Sequence, residues 1–284
     1  MSLEVREVSK QFKEKKALEN INLTFQPQTI YGLLGRNGAG KSTLLNIINN
    51  RSFPTEGTIL LKNNRLSDNE ALLNHVYLMS EDNLFPSNMK VKEIFKTTEQ
   101  FYGSFDWELA NQMADAFELN TKLTFKKLST GYRSIAKLIV ALSVPCDYIF
   151  LDEPVLGLDA THRELFYSFL IETYENRMRT FVISTHLIEE VTTLLENVII
   201  IDQGKVKVSD SIDALLLENF TLSGPRDILE EFSQNMTILG KESLGDFITL
   251  HVTGHKPSML PDSVSIAPIT LQNYFVQLTK KKVG

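Results

Sequence analysis

A glycine-rich segment has the residue types that bind the phosphates of a nucleotide. Its residues are Gly35, Arg36, Asn37, Gly38, Ala39, Gly40, Lys41 and Ser42. They fit the pattern G-x-x-x-x-G-K-[ST] at every required position, and glycines let backbone N–H groups close around phosphate oxygens. Lys41 would reach the β- and γ-phosphates, the Ser42 hydroxyl would hold Mg²⁺, and Thr43 would add a phosphate contact. The segment therefore predicts a nucleoside triphosphate site with Mg²⁺.

Two carboxylates, Asp152 and Glu153, end an apolar run that begins at Tyr148. Asp152 would hold Mg²⁺ through water, and Glu153 is placed to take a proton from an attacking water. A solvated strand end before Pro154 would give the same local pattern. The phosphate loop upstream is what favours a catalytic role.

These side chains need a scaffold that holds loop and carboxylates together. A short apolar run, Ile30 to Leu34, precedes the loop, and a helix is predicted from Gly40 to about Asn50. A helical pattern follows from about Val91, with Asp106 as a predicted N-cap. The order strand, loop, helix, helical insertion and acidic strand predicts an α/β P-loop ATPase core, with a helical subdomain at about 83–143.

The predicted core ends near Val208, and the rest of the chain reads as a smaller unit. We expect an ATPase core over 1–208, a linker over 209–221 and a small C-terminal α/β domain over 222–284. Within that domain, helices are predicted at 225–232 and 270–279, and strands at 235–238 and 247–252. For this domain we expect a dimerisation or regulatory role.

Composition restricts the function classes. The net charge of −6 disfavours binding to nucleic acid, and the single cysteine, Cys146, allows no internal disulfide and suits a reducing compartment. There is no apolar signal core, and no apolar run approaches the roughly 20 residues that span a bilayer. We therefore expect a protein that reaches the membrane only through a partner.

Three further segments complete an ordered set of motifs. They are Leu128-Ser129-Thr130-Gly131-Tyr132, Gly157-Leu158-Asp159 and His186 in Ser184-Thr185-His186. With the loop, the acidic strand and a region near Ser80, they make six motifs in order, within a stretch of about 200 residues from Leu3 to about Val208. In this order the sequence resembles the ATP-binding subunits of ABC transporters, with a Walker A loop, Q-loop, signature, Walker B strand, D-loop and switch histidine.

The resemblance implies a head-to-tail pair of such domains, as a homodimer or heterodimer, that hydrolyses ATP. The signature Ser129 and Gly131 of one domain would contact the γ-phosphate held by Lys41 of the other, and Asp159 would tie the two sites together. His186 would sense the γ-phosphate.

The same resemblance assigns Phe12 to stacking on adenine. It also implies that the helical insertion, roughly Asn83 to Lys127, docks a helix of a separate polytopic permease. The protein would then lie on the cytoplasmic side of the membrane as a peripheral subunit.

The sequence departs from the family pattern at two places. Thr130 and Tyr132 replace the usual third and fifth signature residues, which resembles exporters of the ABC-2 type, including exporters of peptide toxins or antimicrobial peptides. The Q-loop glutamine is absent, and Ser80 stands in its place with Glu81 beside it. Either water bridges Ser80 to Mg²⁺ or Glu81 substitutes as the metal-facing group, and we expect slower turnover.

Other ATPases share some of these motifs. Because the Q-loop glutamine is missing, the interpretation of this chain as a weakly hydrolytic partner in an asymmetric heterodimer stays open. A chromosome-maintenance ATPase acting on nucleic acid would insert long coiled coils, and the chain between Lys41 and Ser129 is too short to hold them. Translation-associated members carry two ATPase halves, and a P-loop kinase would need neither the signature nor His186.

Overall fold

The computed structural model describes residues 2–67 and 69–280. The strands are β1 Leu3–Phe12, β2 Lys15–Phe25, β3 Ile30–Leu34, β4 Glu56–Leu61, β5 Asn64–Arg65, β6 Val76–Met79, β7 Tyr148–Asp152, β8 Thr180–Ser184, β9 Asn197–Asp202, β10 Lys205–Ser211, β11 Asn219–Pro225, β12 Thr237–Leu244, β13 Phe247–Thr253 and β14 Ser265–Pro268. The α-helices are α1 Lys41–Ile48, α2 Glu70–Leu73, α3 Val91–Tyr102, α4 Trp107–Ala116, α5 Thr130–Ser143, α6 Ala160–Asn176, α7 Ile188–Val191, α8 Ile212–Glu218, α9 Arg226–Phe232 and α10 Leu271–Thr279. Single 3₁₀ turns lie at Phe125–Lys127 and Thr192–Leu194. Among the described residues, no helix combines the length and the apolar content needed to cross a bilayer.

The central sheet has the strand order β10-β9-β3-β8-β7-β6. Strands β9, β3, β8, β7 and β6 are parallel, and β10 pairs antiparallel with β9 at one edge. Every residue of β3, β7 and β8 is buried, as expected for parallel strands covered on both faces. Because β3, β7 and β8 are neighbours, their carboxyl ends meet at the same edge of the sheet. The phosphate loop follows β3 and the acidic pair lies at the end of β7, so both are at that edge.

Each face of the central sheet has its own core. An antiparallel sheet, β2-β1-β4-β5, packs with α1 on one face. Helices α3 to α6 pack on the other face around residues such as Phe95, Met113 and Phe166. The Asp106 side chain caps α4 by accepting from the Leu109 N–H at 2.9 Å, which confirms the predicted cap. The predicted α/β core with a helical subdomain is confirmed.

The C-terminal residues form a third sheet with the order β12-β13-β11-β14. Its own small core includes Phe220, Leu222 and Leu229 of α9. Helices α9 and α10 and strand β13 lie where the sequence predicts them, whereas the strand expected at 235–238 lies further along the chain as β12. The segment 209–221, for which the sequence suggested a linker, instead holds the end of β10, the whole of α8 and the start of β11.

Helix α10 belongs to both parts of the chain. Leu271 lies in the large core between the central sheet and helices α3 to α6, and Tyr274, Phe275 and Leu278 pack against that core. On another side, the Gln277 amide donates to a Glu242 oxygen of β12 at 2.9 Å. Helix α10 also contacts α7. The C-terminal sheet is therefore joined to the rest of the chain through a shared helix.

Candidate active site

The phosphate loop connects β3 to α1 and has backbone that only glycine adopts easily. Gly40 precedes the helix with φ 113°. A Cβ on Gly40 would lie 2.8 Å from the Ala17 carbonyl oxygen, and one on Gly35 would lie 2.5 Å from the Ile201 oxygen. Gly40 is thus required by its positive φ and by close backbone packing, and Gly35 by close backbone packing alone. The first turn of α1 holds no acidic residue, so its N-terminus can attract an anion.

Lys41 is the first residue of α1 and is 8% exposed. Its Nζ donates to the Gly35 carbonyl oxygen at 2.7 Å, which places the ammonium across the loop. Burial lowers the pKa of Lys41, and the carboxylates of Glu153 and Asp152 act in the opposite direction. A phosphate beside the ammonium would also favour its charged form.

Asp152 is the last residue of β7 and is buried. Its Oδ1 has no hydrogen-bond partner within the described residues, although the side chain lines a cavity that also contains Lys41 and Ser42. A buried carboxylate oxygen without a partner is costly unless a cation or water completes it. This donor set, one carboxylate and one hydroxyl at a phosphate loop, fits Mg²⁺, which prefers few protein ligands and keeps several waters.

Glu153 and His186 are held together by adjacent strands. Glu153 follows β7 and His186 follows the parallel neighbour β8. The Glu153 N–H donates to the Ser184 oxygen at 2.8 Å, and the His186 Nδ1 lies 2.9 Å from Glu153 Oε2. The pair can hold and orient a proton at the same edge of the sheet as the phosphate loop.

One cavity of about 500 Å³ collects most of the predicted site residues. Its lining is Phe12, Lys15, Ala17, Asn37, Gly38, Ala39, Gly40, Lys41, Ser42, Thr43, Glu81, Asp152 and Glu153. Phe12 is half-exposed at the end of β1, with the Lys10 Nζ 4.9 Å from its ring centroid. An exposed aromatic ring at the rim can stack on a flat base. The catalytic and binding roles assigned to these residues stay predictions.

Ser80 and Glu81 face different surroundings. The Ser80 hydroxyl accepts from Arg51 Nη1 at 3.1 Å, and Ser80 does not appear among the cavity residues, whereas Glu81 does. Of the two alternatives that the sequence left open, this placement favours Glu81 as the residue near the metal. Sequence reasoning missed Arg51, whose contacts with Leu78 and Ser80 are remote in sequence.

The signature residues lie away from that cavity. Ser129 is the exposed N-cap of α5, and its hydroxyl accepts from the Tyr132 N–H at 3.3 Å. A Cβ on Gly131 would lie 3.0 Å from the Gly157 carbonyl oxygen, so the signature and the D-loop touch. Asp159 is exposed and caps α6 by accepting from the His162 N–H at 2.9 Å. Within one chain, Ser129 and Gly131 are thus not brought to the phosphate loop.

Fold and site together define a P-loop ATPase. Residues 18–156 match the family described as ABC transporter. The chain is 26% identical over 213 residues to the ABC transporter ATP-binding protein YtrB of Bacillus subtilis, which covers 75% of this chain and 73% of YtrB. It is 29% identical over 257 residues to the Nod factor export ATP-binding protein I of Burkholderia lata, which covers 84% of each chain.

A solved structure agrees with these relatives. The dimeric, post-hydrolysis ATP-binding cassette MJ0796 bound to ADP and Pi superposes with a TM-score of 0.65 at 25% identity, which covers 74% of this chain and 98% of that one. This chain is therefore an ATP-binding protein of the ABC transporter family, and it is an ATPase. The comparisons do not favour the nucleic-acid alternative.

Proposed function

We propose that this ATPase is the nucleotide-binding subunit of an exporter and works through a separate membrane permease. The observation that carries the proposal is the cavity that joins the phosphate loop, Asp152 and Glu153, with His186 bonded to Glu153. Export is supported by the signature residues Thr130 and Tyr132, and by a relative that is named for Nod factor export.

The roles of the residues follow from their positions. The loop N–H groups and Lys41 bind the phosphates, and Ser42 and Asp152 would hold Mg²⁺, which neutralises phosphate charge when bound. Glu153 accepts the proton of the attacking water, and His186, whose Nδ1 lies 2.9 Å from Glu153 Oε2, orients the γ-phosphate and the water.

Head-to-tail dimerisation is the second part of the proposal. Ser129 and Gly131 lie at the N-terminus of α5, outside the cavity and accessible to a partner. A helix N-terminus attracts a phosphate, so a second chain could offer its signature to the nucleotide held by Lys41. A matching solved cassette is dimeric.

The permease is proposed to dock in a cleft beside α3, between the predicted insertion and the segments 49–51 and 70–78. This docking cleft has a volume of about 460 Å³, and its lining includes Arg51, Tyr77, Phe85, Phe101 and Tyr102. Phe101 is 75% exposed. The lining also includes polar residues such as Asn50 and Glu70, so the cleft suits an amphipathic helix, and Arg51 connects it to Ser80.

Glu153→Gln tests the proposed mechanism. We expect kcat to fall by about 100-fold or more, because an amide cannot accept the proton that general-base catalysis requires. ATP should still bind and should now trap a dimer, measurable by light scattering. Glu189→Gln, an exposed position on α7, is the matched control. Retained ATPase activity in Glu153→Gln would remove Glu153 from this role.

A further inference from the structure

Lys137 is a charged residue on the buried side of the signature helix. It lies within the run 134–143 of α5, where every residue is buried, and it is 7% exposed. A buried ammonium is costly unless hydrogen bonds replace its water. In this protein the Lys137 Nζ donates to the Ser80 carbonyl oxygen at 3.0 Å and to the Glu81 carbonyl oxygen at 2.9 Å.

These carbonyls belong to the first two residues after β6, beyond its register with β7. Charge-assisted hydrogen bonds are stronger than neutral ones, so Lys137 is a firm anchor for this backbone. A second cation acts from the other side, since Arg51 donates to the Leu78 oxygen at 2.6 Å and to the Ser80 hydroxyl. Between the two anchors, Ser80 is turned to Arg51 and Glu81 lines the phosphate cavity.

We propose that Lys137 is a positioning residue that holds the Ser80–Glu81 backbone so that Glu81 faces the nucleotide and its metal. The proposal deepens the proposed function and rests on ATP binding in the phosphate cavity. Lys137 acts through Glu81 and does not touch the nucleotide.

Lys137 also lies on the same helix as the signature residue Ser129. Ser129 begins this helix, and Lys137 lies about 12 Å further along its axis at 1.5 Å per residue. In a head-to-tail dimer, one helix would therefore carry both a contact to the partner's nucleotide and the anchor of Glu81.

Lys137→Met is the test, because it removes the charge and the donors at similar length. We expect kcat to fall about tenfold or more, and the Mg²⁺ concentration for half-maximal activity to rise, as for other residues that orient a metal-facing group. Amide hydrogen exchange in the segment after β6 should accelerate without any nucleotide present. Lys137→Arg should restore most of both properties, and Lys207→Met, at an exposed position of β10 outside the site and the insertion, is the control.

A double-mutant cycle with Glu81→Gln shows whether Lys137 acts through Glu81. Glu81→Gln alone should raise the Mg²⁺ requirement, and adding Lys137→Met should then change kcat by less than about twofold, as for coupled residues. Independent, multiplicative losses would overturn the proposal, and so would unchanged hydrogen exchange. If Lys137→Met does not fold, Lys137→Gln carries the same predictions. An active Glu153→Gln enzyme would instead refute the proposed mechanism and leave the exchange result standing.

Discussion

At the scale of single residues, Glu153 shows how backbone geometry serves the site. Its φ of 50° is in the left-handed region, which costs a residue with a side chain about 1–3 kcal/mol. In return the chain turns sharply after β7, and the Glu153 carboxylate meets His186. The cost is offset by the Glu153 N–H bond to Ser184.

Cys146 should be chemically silent in the folded protein. Burial raises the pKa of its thiol to about 12, so the reactive thiolate is scarce at pH 8. We expect a chromogenic disulfide reagent to leave the native protein unmodified and to titrate one thiol per chain after unfolding in guanidinium. Modification of native protein at the rate of free cysteine would contradict this burial.

The sequence predicted those site residues that belong to short, continuous motifs. The loop glycines, Lys41, Asp152 and Glu153 are recognisable because their spacing is fixed by short turns. The choice between Ser80 and Glu81 was not predictable, because it is made by two remote side chains. Arg51 is 29 residues from Ser80, and Lys137 is 57 residues away. The local signal was a lysine within the otherwise apolar run 135–142 of α5.

At the scale of elements, α3 separates a covered face from an open one. Ile94 and Phe95 enter the core, whereas Phe101 stands in the docking cleft. Elements with strong periodicity, such as α4 with its Asp106 cap, were predicted. β11 and β14 were not, because β11 follows α8 without turn residues and β14 is only four residues long.

Phe101→Asp should weaken permease binding without harming the ATPase. A charge in an aromatic groove must be desolvated when a helix docks, whereas an exposed substitution changes folding stability by only about 0.5 kcal/mol or less. Co-purification with the polytopic product of a neighbouring gene measures the effect. Phe53→Asp is the control, since Phe53 is also exposed but lies outside the cleft. Equal retention of the permease by both variants would place docking elsewhere.

At the scale of the whole molecule, α10 packs against both parts of the chain. The predicted division into two domains therefore does not describe all of the packing. It contributes Leu271 to the ATPase core and Gln277 to the C-terminal sheet. Sequence periodicity predicted the helix, but not which core it would join, because that depends on tertiary contacts. A dimerisation or regulatory role for the C-terminal sheet remains our proposal, and the dimer mass of a chain lacking β12 and β13 would test it.

Leu271→Ala should destabilise the ATPase part. Leu271 is 1% exposed, and truncating such a leucine costs about 2–5 kcal/mol. Leu244→Ala is the matched control in the same C-terminal region, since Leu244 is 86% exposed. Denaturant unfolding with bound fluorescent ATP analogue as the probe measures both. If the two variants unfold alike, α10 does not support the nucleotide site.

The strand order of the central sheet also dictates when the protein can finish folding on the ribosome. β3 lies between β8 and β9, so both of its edges stay unpaired until β8 has been synthesised about 150 residues later, and the second edge waits for β9, about 170 residues after β3. At 5–20 residues per second this is on the order of ten to thirty seconds. During that time β1, β2, β4 and α1 are already available to cover one face of β3. The nascent chain therefore carries an apolar strand with two open edges, the kind of segment that chaperones protect.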